Sequence, residues 1–312
     1  MDLKVYGVHL VMELTPVRMA ARRLGGDVSN GGAAQVIGKG HLVQAQLGAP
    51  GVINKEAPIE TGDEIADIGC NAETQLLRLS AERPDMRVIM TPVESIYRIV
   101  ARRSAGIASI ADLRGKRVAT YPQPSAGFYL VDELRRAGMT ERDVRLINAA
   151  PAKEIAAMLI DGRADAIAVW EPAAQSAYDA IGEDAIAFRS EGAYRMLFGL
   201  NTTKAVLDDP AKRREVVRFL KEVAAACRDI EADPSIAWPL AAATSGFPEA
   251  EVRACWEHHR LSGGLAPDLL DILVAEEEWS AVEQDRAPRT REELALLIDE
   301  GPLREALASE RA

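Results

Sequence analysis

The sequence predicts an α/β fold of two lobes, each with a mostly parallel sheet flanked by helices. Short apolar strands alternate with amphipathic helices between Gly106 and Pro172, and this alternation specifies a parallel sheet. The chain has 312 residues, which suits one large or two medium domains. Its apolar content of 48% is enough to build sizeable cores.

The segment from Gly106 to Pro172 contains three predicted strands. The first is Arg117–Tyr121, which is followed by a polar loop at Pro122–Ser125 and an amphipathic helix. A second strand and helix lead to the third strand, Asp165–Val169, which ends on Trp170 and Glu171. Ligands of parallel sheets bind beyond the carboxyl ends of the strands, beside helix N-termini, so a pocket is expected along these loops.

The first hundred residues are predicted to form the beginning of the first lobe. Apolar and polar residues alternate at 3–10 and 14–21, and Thr15–Ala21 is predicted as the first strand of the sheet. The strand at 95–102 is expected to cross between the lobes. The other elements predicted here are a loop at 25–32, a short helix at 33–40, a strand at 41–47, a loop at 48–62, a strand at 66–69, a helix at 74–81 and a strand at 86–91.

The chain after Trp170 is predicted to return to the first lobe. A helix at Ala173–Ile181 precedes a strand at Tyr194–Leu200. Asp209 and Pro210 then provide a helix start signal, because an acid suits the cap and proline suits the first turn. The helix that follows runs to about Ile230, and the remainder is predicted to be helical.

These elements divide the chain into two predicted lobes. Lobe 1 comprises residues 1–100 and 196–312, and lobe 2 comprises residues 101–195. Two crossing strands join them, so the prediction is a hinge with a cleft that closes on a ligand.

Composition excludes several classes of partner. The net charge of −11 argues against nucleic acid and against anionic membrane surfaces. The chain lacks a run of 18 apolar residues, so no membrane span is predicted. Three cysteines without CxxC spacing indicate neither a disulfide framework nor a zinc site. Motifs for nucleotide binding, metalloprotease or serine hydrolase chemistry are also missing, so no cofactor is predicted.

Two histidine-containing pairs are not predicted to bind a metal. His9 and Glu13 are four residues apart in a segment predicted to be extended, so they are not expected to share a helix face. His258 and His259 are consecutive in a predicted helix and therefore point in different directions. No metal is predicted.

The first residues leave the location of the protein open. MDLKVYGVHLVMEL lacks the basic start, the long apolar stretch and the cleavage site of a secretory signal. The protein is expected in the periplasm if a signal has been removed, and in the cytoplasm if Met1 is the native start.

Several motifs carry a resemblance to a known family. They are DLRGKRVA at 112–119, the serine-bearing loop that opens a helix, DGRADA at 161–166 and the WEP that ends the third strand. The segment resembles the second lobe of type II periplasmic binding proteins, in the sulfonate, taurine, nitrate and thiamine-pyrimidine branch of ABC-importer substrate-binding proteins. A looser resemblance covers 63–120 and 190–300, whereas residues 22–62 depart from the family pattern.

The resemblance implies a function and partners. The chain is expected to capture a small anionic or zwitterionic organic molecule in the interlobe cleft and to deliver it to ABC permease subunits, as a monomer or weak dimer. The alternative is a cytoplasmic enzyme on the same scaffold, such as a desulfinase-like or other lyase or hydrolase, that acts on a small organic acid. For that alternative the candidate catalytic residues are Cys70, beside a helix N-terminus that lowers a thiol pKa, and Glu171.

Loop residues at the predicted cleft supply the candidate ligand contacts. The Ser125 hydroxyl and the backbone N–H groups of the helix start can bind an oxyanion, or Ser125 acts only as a cap. Asn71 and Thr74 begin another helix, with the same alternative. Trp170 offers an apolar wall, and Glu171 can pair with a ligand amine. The full set of predicted ligand-binding residues is Asn30, Asn71, Thr74, Tyr121, Ser125, Ala126, Gly127, Trp170 and Glu171.

Overall fold

The computed structural model of the chain describes residues 2–31, 65–121, 124–149 and 152–308. Its strands are β1 (Val5–Gly7), β2 (Ser29–Asn30), β3 (Ile68–Ala72), β4 (Met86–Arg102), β5 (Arg117–Thr120), β6 (Arg145–Asn148), β7 (Ala166–Trp170), β8 (Ala185–Phe188), β9 (Arg195–Thr203) and β10 (His259–Leu261). Its helices are α1 (Thr15–Arg23), α2 (Glu73–Ser80), α3 (Pro124–Arg136), α4 (Ala152–Ile160), α5 (Ala173–Ile181), α6 (Lys204–Asp208), α7 (Pro210–Ala232), α8 (Trp238–Ser245), α9 (Glu249–Ala254), α10 (Leu269–Glu283), α11 (Arg291–Ala295) and α12 (Gly301–Ala308).

The strand β4 connects two groups of strands. The sheet order is β2-β1-β3-β9-β4-β7-β5-β6, with β10 and β8 also paired to β4. Residues 86–96 of β4 pair with β9, and residues 97–101 pair with β7. We call β1, β2, β3, β9 and β10 the first strand group, and β5, β6, β7 and β8 the second strand group.

The outer strands of both groups are parallel, as the sequence predicts. β1 runs parallel to β2 and β3, and β5 runs parallel to β6 and β7. The pairs of β4 with β7, β8, β9 and β10, and of β3 with β9, are antiparallel. The sheet is therefore mixed, because one long strand passes through both groups and a later segment returns beside it.

The prediction of a strand at Thr15–Ala21 is wrong, because this segment forms helix α1. Val17, Ala20 and Ala21 are fully buried, which is the three- and four-residue spacing of a helix face. Pro16 stands in the first turn, where its missing N–H costs no hydrogen bond. The apparent alternation came from Arg18, which stands between the apolar residues Val17 and Met19.

The two strands predicted at 86–91 and 95–102 form the single strand β4. Pro92 does not end it, because the pairing register with β9 shifts between Val88 and Val93 and accommodates the proline. The predicted strand at 66–69 also extends further, to Ala72, so Cys70 and Asn71 belong to β3 and not to the following helix.

The C-terminal region is helical except for β10, which begins at His259. The prediction that His258 and His259 share a helix is therefore wrong. Helix α7 packs its apolar face, which includes Phe219 and Leu220, against the first strand group. Each fully buried side chain of this size contributes about 1.5–3 kcal/mol of hydrophobic free energy.

Three predicted elements lie outside the described residues, namely the helix at 33–40, the strand at 41–47 and the loop at 48–62. Among the helices that the structure does describe, none combines the length and apolar character needed to cross a bilayer.

Candidate functional site

A cavity of about 130 Å³ lies where the two strand groups meet β4. Its walls come from the loop after β1, the junction of β3 and α2, the middle of β4, β9, and the second strand group with its helices. The described residues that line it are Val8, His9, Leu10, Val11, Glu13, Asn30, Asn71, Ala72, Gln75, Tyr97, Tyr121, Ser125, Ala152, Trp170, Met196 and Phe198.

The second strand group supplies an aromatic wall. Tyr97 pairs with Trp170 across β4 and β7, and their ring centroids are 6.0 Å apart. Tyr121 meets Trp170 edge to face at 5.2 Å. The indole Nε1 of Trp170 has no hydrogen-bond partner among the described residues. The predicted pocket residues Tyr121 and Trp170 are thus brought together, and Tyr97 joins them.

Ser125 faces the cavity at the start of α3. The Tyr97 hydroxyl donates a hydrogen bond to Ser125 Oγ over 3.0 Å, so β4 is tied to the helix start. Ala126 and Gly127 are not among the lining residues, and Ala126 is fully buried. Of the three residues predicted at this helix start, the structure places only Ser125 in the cavity wall. The periodicity of α3 accounts for this, since the following residues turn toward the core.

The first strand group places Asn30 and Asn71 in the wall. Asn30 ends β2, and its side-chain Oδ1 accepts a hydrogen bond from the His9 backbone N–H at 3.2 Å. Asn71 lies in β3 and is buried. Thr74 is also buried, but it is not a lining residue, and its Oγ1 has no partner among the described residues. The prediction for Thr74 is therefore not supported by its position.

The loop after β1 forms the wall that the sequence analysis did not identify. Val8 to Val11 line the cavity, and Leu10 is 49% exposed. Leu10 adopts a φ of 84°, which is rare for a residue with a side chain. Its N–H donates to the Thr244 carbonyl at 3.0 Å, which helps to hold this conformation. Strained residues of this kind cluster at ligand-binding loops.

Glu171 does not face the cavity, and the prediction that it pairs with a ligand amine is corrected. Its side chain is fully buried and accepts from Arg98 Nε at 2.6 Å. His258 Nδ1 lies 3.0 Å from the same oxygen, and the Gln175 backbone N–H donates to the other oxygen at 2.9 Å. Burial raises the pKa of Glu171, but the hydrogen bonds and charges of His258 and Arg98 outweigh burial and hold it below the usual value. The carboxylate therefore stabilises the fold and is not available to a ligand.

Cys70 is not a reactive thiol, so the enzyme alternative loses its nucleophile. Its side chain is fully buried in β3 and does not line the cavity. Burial raises the pKa of the thiol well above its ordinary value, which is the opposite of the effect expected from a helix N-terminus. The strand continues past Cys70, and this moves the thiol away from the helix start.

Glu13 is the charged lining residue, and it is not among the ligand contacts predicted from the sequence. It is 1% exposed and lies in a short 3₁₀ turn, Met12–Leu14, after the cavity loop. Ser95 donates to Glu13 Oε1 at 2.7 Å, and His259 Nε2 is 3.6 Å from the same oxygen. A signal was present in the sequence, since Glu13 is the single acid in the apolar run from Val8 to Val17. Within the described ranges, no three histidine, cysteine, aspartate or glutamate side chains come together as a metal-ligand set.

Solved structures similar to this chain share its fold. The alkanesulfonate-binding protein SsuA from Xanthomonas axonopodis pv. citri, bound to MOPS, has a TM-score of 0.66 at 18% identity and covers 95% of this chain and 97% of its own. The ligand-binding component of an ABC-type import system from Staphylococcus aureus, with zinc bound, has a TM-score of 0.71 at 9% identity and covers 98% and 99%. The desulfurization enzyme DSZB has a TM-score of 0.62 at 14% identity and covers 98% and 99%.

The chain has the two-lobe α/β fold of periplasmic binding proteins, as the sequence predicts. A family model described as NMT1/THI5 like matches residues 51–237, which is more than half of the chain. The chain belongs to the NMT1/THI5-like family, and the resemblance drawn from its motifs is confirmed. Among curated proteins, no match to this chain is found.

Proposed function

We propose that this chain is a solute-binding protein that captures a small organic molecule in the cavity and delivers it to an ABC-type importer. The observation that carries this proposal is the lining itself, because both strand groups contribute to one cavity. A ligand there contacts Asn71 from one side and Trp170 from the other, with Tyr97 of the shared strand between them. Such a ligand draws the two groups together, which is how a hinged binding protein retains its solute.

The proposal includes the division of the chain and its partners. Residues 1–100 and 196–312 form one lobe, residues 101–195 form the other, and β4 provides a hinge between them. Permease subunits of the importer are the proposed macromolecular partner, and the chain acts as a monomer or weak dimer. The similar proteins from Xanthomonas axonopodis and Staphylococcus aureus support this proposal, since their names describe ligand binding and import.

The cavity chemistry favours capture over catalysis. Its described lining is mostly aromatic and aliphatic, and its polar members are His9, Glu13, Asn30, Asn71, Gln75 and Ser125. Cys70 and Glu171 lie outside it. An apolar site with a few polar groups is typical of small-molecule recognition. The desulfinase-like alternative has no lining thiol among the described residues to carry it.

The test is a ligand screen with the whole chain. Sulfonates, pyrimidines, amino acids and aromatic acids are added in a thermal-shift assay, and positives are measured by calorimetry. A ligand at a hundredfold excess over its Kd stabilises the protein by about 2.7 kcal/mol. Mass spectrometry of the recovered ligand must show it unchanged, because turnover would contradict a pure binding role.

Variants then locate the bound ligand. Trp170→Ala combined with Ser125→Ala removes one wall of the cavity, so affinity should fall by tenfold or more. The control is Trp238→Ala, which deletes a tryptophan outside the cavity that stacks against Arg253. Unchanged affinity in the double variant, with intact folding, would place the ligand elsewhere.

A further inference from the structure

The Glu13 carboxylate has an unused acceptor at the cavity. Oε1 is engaged by Ser95 and His259, but Oε2 is buried and has no hydrogen-bond partner among the described residues. A buried acceptor left without a partner costs about 1–3 kcal/mol, more when it is charged. A bound ligand that donates a hydrogen bond to this oxygen would recover that free energy.

Glu13 is charged at neutral pH. Burial raises its pKa, but the neighbouring His259 and the hydrogen bond from the Ser95 hydroxyl outweigh burial and hold the pKa below the usual value. Burial lowers the pKa of His259, and the Glu13 carboxylate more than reverses this, so its pKa lies above the ordinary value. Glu171 also raises the pKa of His259. His259 Nε2 lies nearest Oε1, at 3.6 Å, so Oε2 keeps its acceptor capacity.

The rest of the described lining suits a positively charged group better than a negative one. Among these lining residues there is no lysine and no arginine. The rings of Tyr97, Tyr121 and Trp170 present aromatic surface, which attracts cations and repels anions at its face. The His9 ring is already engaged, because its Nε2 lies 3.1 Å from the Val28 carbonyl and donates a hydrogen bond to it.

From this arrangement we infer that the cavity selects a compact organic ammonium, with its N–H directed to Glu13 Oε2 and its apolar body against the three rings. The inference rests on the proposed solute-binding function and narrows it. It replaces the predicted anionic ligand and keeps the zwitterionic one, whose amine would take the same position. The cavity volume limits the size of the ligand's apolar body, because a cavity of roughly 150 Å³ accommodates one benzene ring.

The test compares probes of one shape and different charge at pH 7. Benzylamine, benzyl alcohol, benzoate and benzenesulfonate are titrated into the wild-type chain by calorimetry. We expect benzylamine to bind about tenfold or more tightly than benzyl alcohol, which is the size of a charge-assisted hydrogen bond. The inference is overturned if either anion binds more tightly than benzylamine, if the amine and the alcohol bind equally, or if no probe binds.

A substitution assigns the preference to Glu13. Glu13→Gln keeps the acceptor for Ser95 and removes the charge. The affinity for benzylamine should therefore fall to within about threefold of the affinity for benzyl alcohol. Glu257→Gln is the matched control, because Glu257 is exposed beside His259 and should leave the ranking unchanged. A Glu13→Gln protein that binds benzylamine as the wild type does would overturn the assignment. If this variant does not fold, the wild-type ranking decides the inference.

These outcomes separate the inference from the function. A tightly bound anion or neutral ligand from the wider screen, unchanged on recovery, would leave the solute-binding function in place while removing the ammonium inference. Failure of the whole screen would remove both.

Discussion

Two buried carboxylates lie close to the cavity, and they differ in how completely they are hydrogen-bonded. Glu171, after β7, has a partner for each oxygen, with Arg98, His258 and the Gln175 N–H around it. Glu13, after β1, has partners at one oxygen only. Both follow strands that end at the cavity, so position in the topology does not distinguish them.

The difference shows that a ligand contact is identified by unsatisfied bonding capacity and not by its place at a strand end. Sequence position made Glu171 the attractive candidate, because acids that follow parallel strands face the usual ligand crevice. The long strand β4 carries Arg98, and the guanidinium of Arg98 forms an ion pair with the Glu171 carboxylate. Glu13 has no arginine within salt-bridge distance among the described residues, and its one nearby cation is a histidine.

The largest effect is expected from Glu171→Gln. Removing one partner of a buried ion pair leaves Arg98, whose side chain is 13% exposed, without its counter-charge. We expect the free energy of unfolding to fall by about 3 kcal/mol, measured by urea denaturation. Ligand affinity in the folded fraction should be almost unchanged, since Glu171 does not line the cavity.

The double variant Arg98→Met with Glu171→Leu is the control for that prediction. Replacing both charges by apolar side chains removes the uncompensated ion, so stability should recover toward the wild type. A double variant less stable than Glu171→Gln would show that other contacts of these residues dominate.

Much of the fold could be predicted from the sequence, because local patterns determine it. The βαβ order between Gly106 and Pro172 is correct, as are α5 and the capped start of α7 at Asp209. The secondary-structure predictions failed where local sequence patterns are ambiguous. At Thr15–Ala21 a single arginine, Arg18, between apolar residues imitates strand alternation. At Pro92 a register shift that has no local sequence signal lets the strand continue.

The candidate site was predictable only where strand ends supply it. Tyr121 and Ser125 follow β5, Trp170 ends β7, and all three line the cavity, as predicted from topology. Tyr97 lies in the middle of a strand, and its role depends on the partner strand that places Trp170 opposite it. The pairing register of distant strands cannot be predicted from either segment alone. The contribution of Tyr97 to the aromatic wall was therefore found only from the structure.

A third buried carboxylate site gives the next prediction, in which stability depends on pH. Glu73 and Glu276 are both buried, and burial together with the nearby Glu73 charge raises the pKa of Glu276 well above its usual value. The native state then holds a proton that the unfolded chain loses above a pH of about 4.5. Stability should therefore fall as pH rises through this range, by up to about 1.4 kcal/mol per unit.

Glu276→Gln is the variant that tests this pH dependence. It mimics the protonated acid, so urea denaturation from pH 5 to pH 8 should show a smaller decline than the wild type. Glu278→Gln is the control, because Glu278 lies two residues after Glu276 in the same helix and is exposed. This variant should keep the wild-type slope. Equal slopes in Glu276→Gln and wild type would contradict a proton held on Glu276 in the native state.

A smaller loss of stability is expected from Glu13→Gln, and this compares directly with Glu171→Gln. Only one oxygen of Glu13 is bonded, and His259 can release its proton when the acid is removed. The free energy of unfolding should fall by about 1 kcal/mol, measured under the same conditions as for Glu171. A loss equal to that of Glu171→Gln would show that Glu13 is a structural ion pair of the same kind, and the contrast between the two acids would not hold.

The smallest effect concerns Leu10, whose strained backbone adjoins Glu13 in the cavity wall. Glycine adopts a φ of 84° without the steric cost that leucine bears, so Leu10→Gly should relieve strain. Glycine also gains entropy in the unfolded chain, so the net gain in stability should be only about 0.5 kcal/mol. Leu10→Ala keeps the strain while it shortens the same half-exposed side chain, and it should give no gain in stability.

If the loop conformation serves the cavity, both variants should bind benzylamine more weakly than the wild type, because both remove apolar surface from the wall. A glycine variant that is less stable than the alanine variant would show that the Thr244 contact, and not the side chain, determines the conformation at this position.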